Sequence, residues 1–391
     1  MVLELTSTTS KKDLQECQSN NFISWGAPLT IEQYYHRDSI NYESNFMNLY
    51  RLNTENTNGG IYFILKDNEI KNGEIESACE IFIRDSWIAK NGELFNCKSA
   101  VIGSVYTAEK FRGKGNANFM MKELIKQMKE KYLKGKYDSA FLYSEIGEYY
   151  SKFGYKSFNV EVLQFDISNN NNIKINIDYP FETIYFDYKE ISNDYFNKMK
   201  DLVLKKSKQD NGLHFMLKPS HKIFEWFANR SRVNYWAIKH PEIKDPPPGI
   251  ENERNNNIKV NPLLNTITGF EIKDKAGKLN YISFYPQFHN NDCYILAMHA
   301  TEEEDAIKLI KLVLNQCIKW GMKKVSGWKT DICDFDNTGS YENSFQEILK
   351  SHGLVFTLQE KNDSLSAIQL MHQPDNIDVS GWEGNGKWCW F

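Results

Sequence analysis

The stretch that decides the fold runs from residue 99 to residue 132: SAVIGSVYT (99–107), AEKF (108–111), RGKGNA (112–117) and NFMMKELIKQMKEKY (118–132). The first segment is rich in β-branched residues and Tyr, which predicts a strand. In the last, Ala117, Met120, Met121, Leu124, Ile125, Met128 and Tyr132 recur every three or four residues. That spacing predicts an amphipathic helix over 115–132, with Lys122, Lys126 and Lys129 toward water. A short Gly-bearing turn joins the two, and DSAFLY (138–143) reads as the next buried strand. Strand, turn, helix, strand is a parallel unit of an α/β sheet.

Outward from this unit, IYFILK (61–66) and SACEIFIR (77–84) read as strands. A short helix is expected near 147–152 and a strand near 155–166. The Asn run of ISNNNNIK (167–174) favours turns over packed elements. We therefore expect a first domain over 1–166, a linker over 167–180 and a second domain over 181–391. The second part opens on helical patterns at 191–207 and 219–230. An irregular stretch, 241–258, then carries Pro246, Pro247, Pro248 and Gly249. Strands near 266–273, 280–286 and 293–299, a helix near 303–319 and a strand near 323–328 follow. The order repeats that of the first domain and predicts a second, related α/β module.

The composition excludes several classes. The chain has 391 residues, 47 Lys+Arg against 51 Asp+Glu, and 14% aromatics. So many rings fit packed cores, not a disordered chain. A net charge of −4 lacks the basic face that nucleic-acid binding needs and gives no pull toward anionic membranes. The seven cysteines are scattered without a CxxC pair, which argues against a disulfide framework or zinc ribbon. No metal constellation stands out among the eight histidines. The N-terminus has no signal or transit pattern, and the last residues match no sorting address. No run of eighteen apolar residues occurs. A soluble, reduced, cytoplasmic protein is expected, in which the sequons at Asn229 and Asn362 have no consequence.

Arg112-Gly113-Lys114-Gly115-Asn116-Ala117 is an anion site in physical terms. Glycines let the backbone turn tightly and approach a ligand. The helix that starts there leaves free N–H groups and a positive dipole end, and Arg112 and Lys114 add full charges. A diphosphate suits such a nest. A plain turn is the competing reading. The spacing fits neither a GxxxxGK[ST] loop nor GxGxxG.

Arg-x-x-Gly-x-Ala after a strand resembles the acetyl-CoA signature of the GNAT acyltransferase superfamily. A second block, Ser144-Glu145-Ile146-Gly147-Glu148-Tyr149-Tyr150-Ser151-Lys152-Phe153-Gly154-Tyr155, is similar to that superfamily's aromatic-Tyr-x-Lys-x-Gly-aromatic segment. The resemblance implies an N-terminal GNAT fold, a central mixed sheet flanked by helices, with acetyl-CoA between two splayed parallel strands. It implies that N–H groups from Gly113 to Ala117 take the diphosphate, with Arg112, Lys114 and Asn116 in the same loop and Ser144 at the cofactor. It implies that the pantetheine pairs with Val105, Tyr106 and Thr107, and that a backbone N–H near Val105 polarises the thioester carbonyl. Thr107 and Glu109 depart mildly from the family pattern without removing a backbone donor. Tyr150 matches the general acid that protonates the leaving thiolate. The bland alternative is that Tyr150 packs on the sheet, and Tyr149 is expected to pack under the cofactor.

A lysine amine, with a pKa of about 10.4, is neutral in only about one of 2,500 molecules at pH 7, so a base is expected. Glu145 and Glu148 read as exposed helix-cap carboxylates. Trp382, Trp388 and Trp390 crowd the last ten residues, among glycines, and the chain stops at Phe391. Such a tail docks somewhere. In the cleft, its terminal carboxylate becomes a base or a cation anchor, an arrangement that resembles the enhanced-intracellular-survival-type acetyltransferases. On the second domain's sheet, it is ordinary core. The two-module layout and the segment Trp25-Gly26-Ala27-Pro28-Leu29-Thr30 resemble the fungal lysine N-epsilon-acetyltransferases of lysine catabolism, which implies free L-lysine as acceptor. A polyamine, an aminoglycoside or a protein lysine remain alternatives, as does a non-catalytic acyl-CoA-binding module. His36, Arg37 and Asp38 fall where the superfamily shapes its acceptor site, and are read as solvated charges on a surface helix. The second module's turn, Thr301-Glu302-Glu303-Glu304-Asp305, would repel a diphosphate, so that module is expected to lack the acetyl-CoA signature. His299 and Cys293 read as core or half-buried strand residues.

Overall fold

The structure, a computed structural model, describes residues 2–48, 60–70, 73–170, 179–256, 261–332, 341–372 and 378–390. In chain order its strands begin with β1 (Leu3–Thr8), β2 (Gly60–Asp67), β3 (Ser77–Lys90), β4 (Glu93–Thr107), β5 (Ser139–Ser144) and β6 (Lys156–Phe158). Next come β7 (Val162–Asp166), β8 (Glu182–Ile184), β9 (Leu213–Leu217), β10 (Gly269–Lys273) and β11 (Leu279–Gln287). The last are β12 (Asp292–His299), β13 (Lys324–Trp328), β14 (Thr357–Gln359), β15 (Leu365–Leu370) and β16 (Gly381–Trp382). They form two mixed sheets. One is ordered β1-β2-β3-β4-β5-β15-β6, with β9 between β3 and β16; the other is ordered β14-β7-β13-β12-β11-β10-β8.

Each sheet belongs to its own compact unit. The first unit takes residues 1–158, 203–218 and 363–382, and the second takes 159–202, 219–362 and 383–391. This differs from a single boundary at 167–180, because strands distant in sequence complete the first sheet. The edge of β5 pairs with β15, Ser144 opposite Leu365, and the edge of β3 pairs with β9, Ser86 opposite Leu217. Unpaired strand edges are costly to leave, and these additions cover them. The strand expected over 155–166 is in fact two strands, β6 in the first sheet and β7 in the second.

In the first unit, the expected helix forms over Asn116–Gln127, and a wider turn continues it to Tyr132. Met120, Met121, Leu124 and Met128 pack fully buried against Phe63, Leu65, Ile81 and Ile83 of the sheet. Each such side chain contributes about 1.5–3 kcal/mol. The other face of the sheet carries the helices Lys11–Trp25 and Ile31–Glu43. Ser10 caps the first, and Thr30 with Gln33 forms a capping box on the second. The Ile31–Glu43 helix corrects one expectation. Arg37 is not solvated: it is buried, lies 4.2 Å above the Tyr34 ring, and donates from Nε and Nη2 to Asp38 Oδ1 at 2.9 and 2.8 Å.

In the second unit, the helix Glu303–Trp320 buries Ile307, Leu309, Ile310, Val313, Leu314 and Cys317 against its sheet. Cys293 and His299 are both buried. Each unit thus repeats strand, helix, parallel strand: β4 with β5, and β12 with β13. Among the described residues, no helix is long and apolar enough to cross a membrane.

Candidate active site

β4 and β5 pair in parallel from Ser99–Ser139 to Ile102–Leu142 and no further, although β4 runs on to Thr107 and β5 to Ser144. The cause is a bulge. Ala78 pairs with Tyr106 but Glu80 with Gly103, so two residues of β4, Ser104 and Val105, oppose Cys79. Ser104 takes φ +50°, a left-handed conformation uncommon outside glycine. Beyond the bulge, the β5-side edge of β4 has no strand partner among the described residues. Its backbone N–H and C=O groups are the ones on which an extended ligand could pair.

The turn above this opening holds the predicted loop. Gly113 and Gly115 have φ +75° and +85°, and a Cβ at either would meet nothing within 4 Å, so both backbones face open space. Gly115 caps the helix Asn116–Gln127 without a side-chain hydrogen bond. The first helical bond runs from Phe119 N–H to the Gly115 carbonyl. The N–H groups of residues 116–118 therefore have no partner within the helix. Arg112 and Lys114 are exposed. Arg112 Nε donates to the Thr107 carbonyl at 3.0 Å and its guanidinium stands 5.4 Å above the Tyr106 ring; Lys114 Nζ is 5.2 Å from the Phe111 ring. Ala117 is half-buried on the helix's first turn. Asn116 behaves differently from its neighbours. Its side chain is buried and Nδ2 donates to Glu76 Oε2 at 2.6 Å, so only its backbone N–H can join an anion nest.

Ser144 is buried at the end of β5, where its hydroxyl donates to the Gly147 carbonyl at 2.6 Å and accepts from Ile146 N–H at 3.3 Å. It shapes the turn and has little left for a ligand. That turn leads into a short helix, Gly147–Phe153, which carries Tyr150. Tyr150 is buried among Tyr149, Phe153 and Tyr155, with ring centroids 5.1, 6.5 and 6.3 Å away. Burial, and then the neighbouring Tyr149, Cys79 and Glu145, push its phenol well above the ordinary tyrosine value. It is protonated throughout the neutral range, so it can serve there as an acid and not as a base. Lys152 Nζ lies 3.7 Å above the Tyr149 ring. Glu145 and Glu148 are exposed.

The geometry adds residues that the sequence reading passed over. Glu80, on β3 at the bulge, is a buried carboxylate that accepts from Ser104 Oγ. Tyr62 stands opposite it across the β2–β3 pair. Burial first, then Glu80 and Asp38, push the Tyr62 phenol up. Glu80 faces the side covered by the two N-terminal helices, opposite to the Met120 face. Its signal in the sequence was a carboxylate inside the apolar run SACEIFIR, since unpaired buried Glu is rare. Nothing marked Ser104. A separate cleft of about 600 Å³ is lined by Lys12, Glu16, Lys66, Glu74, Ala108 and Lys110, where Lys66 pairs with Asp13 at 2.9 Å and Lys110 with Glu74.

The aromatic tail divides between the units. Trp382 packs in the first, 5.2 Å from Phe141 and 5.3 Å from Phe215. Trp388 and Cys389 are fully buried in the second. Phe391, whose carboxylate the sequence offered as a base, lies outside the described residues. Among the described residues, no group of three or more His, Cys, Asp or Glu side chains is arranged to hold a metal.

Comparison with known proteins bears on the chain's family and fold. Residues 184–391 match the family model described as the LYC1 GNAT-like C-terminal domain. A Saccharomyces cerevisiae protein, itself described as uncharacterized, is 25% identical over 436 aligned positions, covering 99% of this chain and all of that one. A Yarrowia lipolytica lysine acetyltransferase is 28% identical over 169 positions, 39% of this chain and 40% of its own length. Among solved structures, a probable N-acyltransferase from Enterococcus faecalis shares the fold across 95% of this chain and 73% of its own, with a TM-score of 0.51 at 9% identity. The architecture is thus mixed α/β with two GNAT-like modules, as expected from the sequence.

Proposed function

The chain belongs to the GNAT_LYC1-like family, and on that premise we propose that it is an N-acetyltransferase that moves acetyl from acetyl-CoA to the ε-amine of free L-lysine. The observation that carries this reading is the β4–β5 opening capped by the turn Arg112–Ala117. The turn fits a diphosphate on three counts: left-handed glycines facing open space, first-turn N–H groups without a partner in the helix and two exposed cations. In this reading the N–H groups of Gly113–Ala117 hold the diphosphate, and Arg112 and Lys114 add charge. The edge at Val105, Tyr106 and Thr107, where the Thr107 carbonyl also accepts from Arg112 Nε, aligns the pantetheine, with the Val105 N–H on the thioester carbonyl.

The reaction is a direct attack. A neutral amine nitrogen forms a bond to the carbonyl carbon and the carbon–sulfur bond breaks. Tyr150 gives its proton to the departing sulfur, and burial keeps it protonated until then. The proton lost by the amine passes to a base, for which the Phe391 carboxylate is our candidate. Glu80, beside the bulge, supplies the negative charge that would receive the acceptor's ammonium. The lysine assignment draws on the Yarrowia relative and is our extension of it to this chain.

A turnover panel with acetyl-CoA and L-lysine, polyamines, an aminoglycoside and lysine-containing peptides tests the reading. We expect L-lysine to give the highest kcat/KM. Turnover of peptides but not lysine would replace the acceptor, and CoA binding without turnover of any amine would leave a non-catalytic module.

A further inference from the structure

The end of the β12–β13 ladder is held by the chain itself. The two strands pair in parallel from Asp292–Lys324 to Ile295–Gly327 and then stop, while β12 continues to His299. Against β12 and the turn Lys329–Ile332 that follows β13 lies the segment Glu383–Trp390. Polar tethers fix it. The Lys387 backbone N–H donates to Asp331 Oδ2 at 2.9 Å, and Thr330 Oγ1 donates to the Asn385 carbonyl at 2.9 Å. Lys387 Nζ sits 3.4 Å above the Trp390 ring and 4.9 Å from that of Tyr294 on β12. Trp388 is fully buried.

Asp331 shows that the seat is specific. Its side chain is wholly buried, and among the described residues Oδ1 finds no hydrogen-bond partner. That oxygen points at Gly386, where an added Cβ would lie only 1.9 Å away. A carboxyl group is costly to bury, and among the described residues this one is tied only to the backbone of the segment it faces. Only a glycine allows that approach. Residues from β12, from the turn after β13 and from the tail therefore form one built site.

We infer that the second module's strand end is a binding site for the chain's own C-terminal segment, with Asp331 and Gly386 as positioning residues for the last residues. The same end of the first module is the proposed carrier site. For its kinetic consequence alone, this inference rests on the acetyl-transfer reading.

Limited trypsin digestion of the full chain tests it, because cleavage after Lys387 releases the tetrapeptide Trp388–Phe391, which mass spectrometry counts. In the wild type, release should lag well behind cleavage at exposed Lys134. Gly386→Ala should speed release by about tenfold or more, and the milder Thr330→Val by about threefold, the scale set by one lost close contact or hydrogen bond. Gly386→Ala should also lower kcat at an unchanged KM for acetyl-CoA, a split that general loosening would not give. Release from the wild type as fast as cleavage at Lys134 would overturn the seat. Faster release with wild-type kcat would overturn the positioning role. If the wild type acetylates no amine, the acetyl-transfer reading and with it the positioning role fall, while tetrapeptide release still decides the seat.

Discussion

β4 and β5 part after Ile102 and Leu142 below a turn of Arg112, Gly113, Lys114 and Gly115, whereas β12 and β13 part after Ile295 and Gly327 below a turn of Thr301, Glu302, Glu303 and Glu304. The scaffolds match, and the turns carry opposite charge. In the first, left-handed glycines bring bare backbone to the surface. In the second, side chains already occupy the turn: Thr301 N–H donates to Asn280 Oδ1, and Asp305 accepts from Asn280 Nδ2 and Lys308. Acidic residues there stabilise the helix Glu303–Trp320 through its dipole and would repel a diphosphate. On the proposed reading, the first unit keeps this turn for an anion, whereas the second unit's strand end holds the chain's own segment through Thr330 and Asp331.

The sharpest way to break this contrast is at the chemistry assigned to the first module alone. Tyr150→Phe should lower kcat about a hundredfold at an unchanged KM for acetyl-CoA, the usual scale for a lost general acid. Wild-type turnover would return Tyr150 to a packing role. Because burial raises this phenol above its ordinary value of 10.0, its deprotonation should cause no fall in kcat up to pH 10.

The turns themselves come next. Gly115→Val places a β-branched residue at φ +85° and should raise the KM for acetyl-CoA roughly tenfold. Glu303→Lys in the second turn should leave that KM unchanged. A KM insensitive to Gly115 but responsive to Glu303 would exchange the roles of the two modules. On the acceptor side, Glu80→Gln should raise the KM for the amine about tenfold while sparing acetyl-CoA, the scale of a charge-assisted hydrogen bond. An unchanged amine KM would remove Glu80 from the acceptor site.

The smallest effect concerns Asp331. Burial raises its folded-state pKa well above 3.8. Folding therefore favours its protonated form, and the stability that gives is lost as pH rises from the unfolded value toward the folded one. Asp331→Asn removes this titration, so its melting temperature should fall less than that of the wild type between pH 5 and pH 8. Parallel curves would show that Asp331 does not titrate in that window.

Local pattern made much of this legible. The helix at 116–127, the glycine turn and the second module's strand–helix–strand unit all follow from spacing along contiguous residues. What escaped depends on partners far away in sequence. β15 inserts between β5 and β6 across some 200 residues, so the short run at 155–166 gave no sign of splitting between two sheets. The helix Lys11–Trp25 buries only Cys17 and Asn21, too few apolar positions to show a period. Arg37 looked solvated because its burial is set by Tyr34 and Asp38, and Asn116 looked like a ligand residue until Glu76 claimed its side chain. The Ser104 bulge required strand register, which composition does not carry; Glu80 showed as a carboxylate inside an apolar run, with no sign that it lies beside the bulge.

A crystal structure of the full chain with CoA tests the central claim most directly. One CoA per chain is expected, its diphosphate oxygens within hydrogen-bond reach of the N–H groups from Gly113 to Ala117. A diphosphate seated instead at Thr301–Asp305, or density absent from the first turn at saturating CoA, would contradict it.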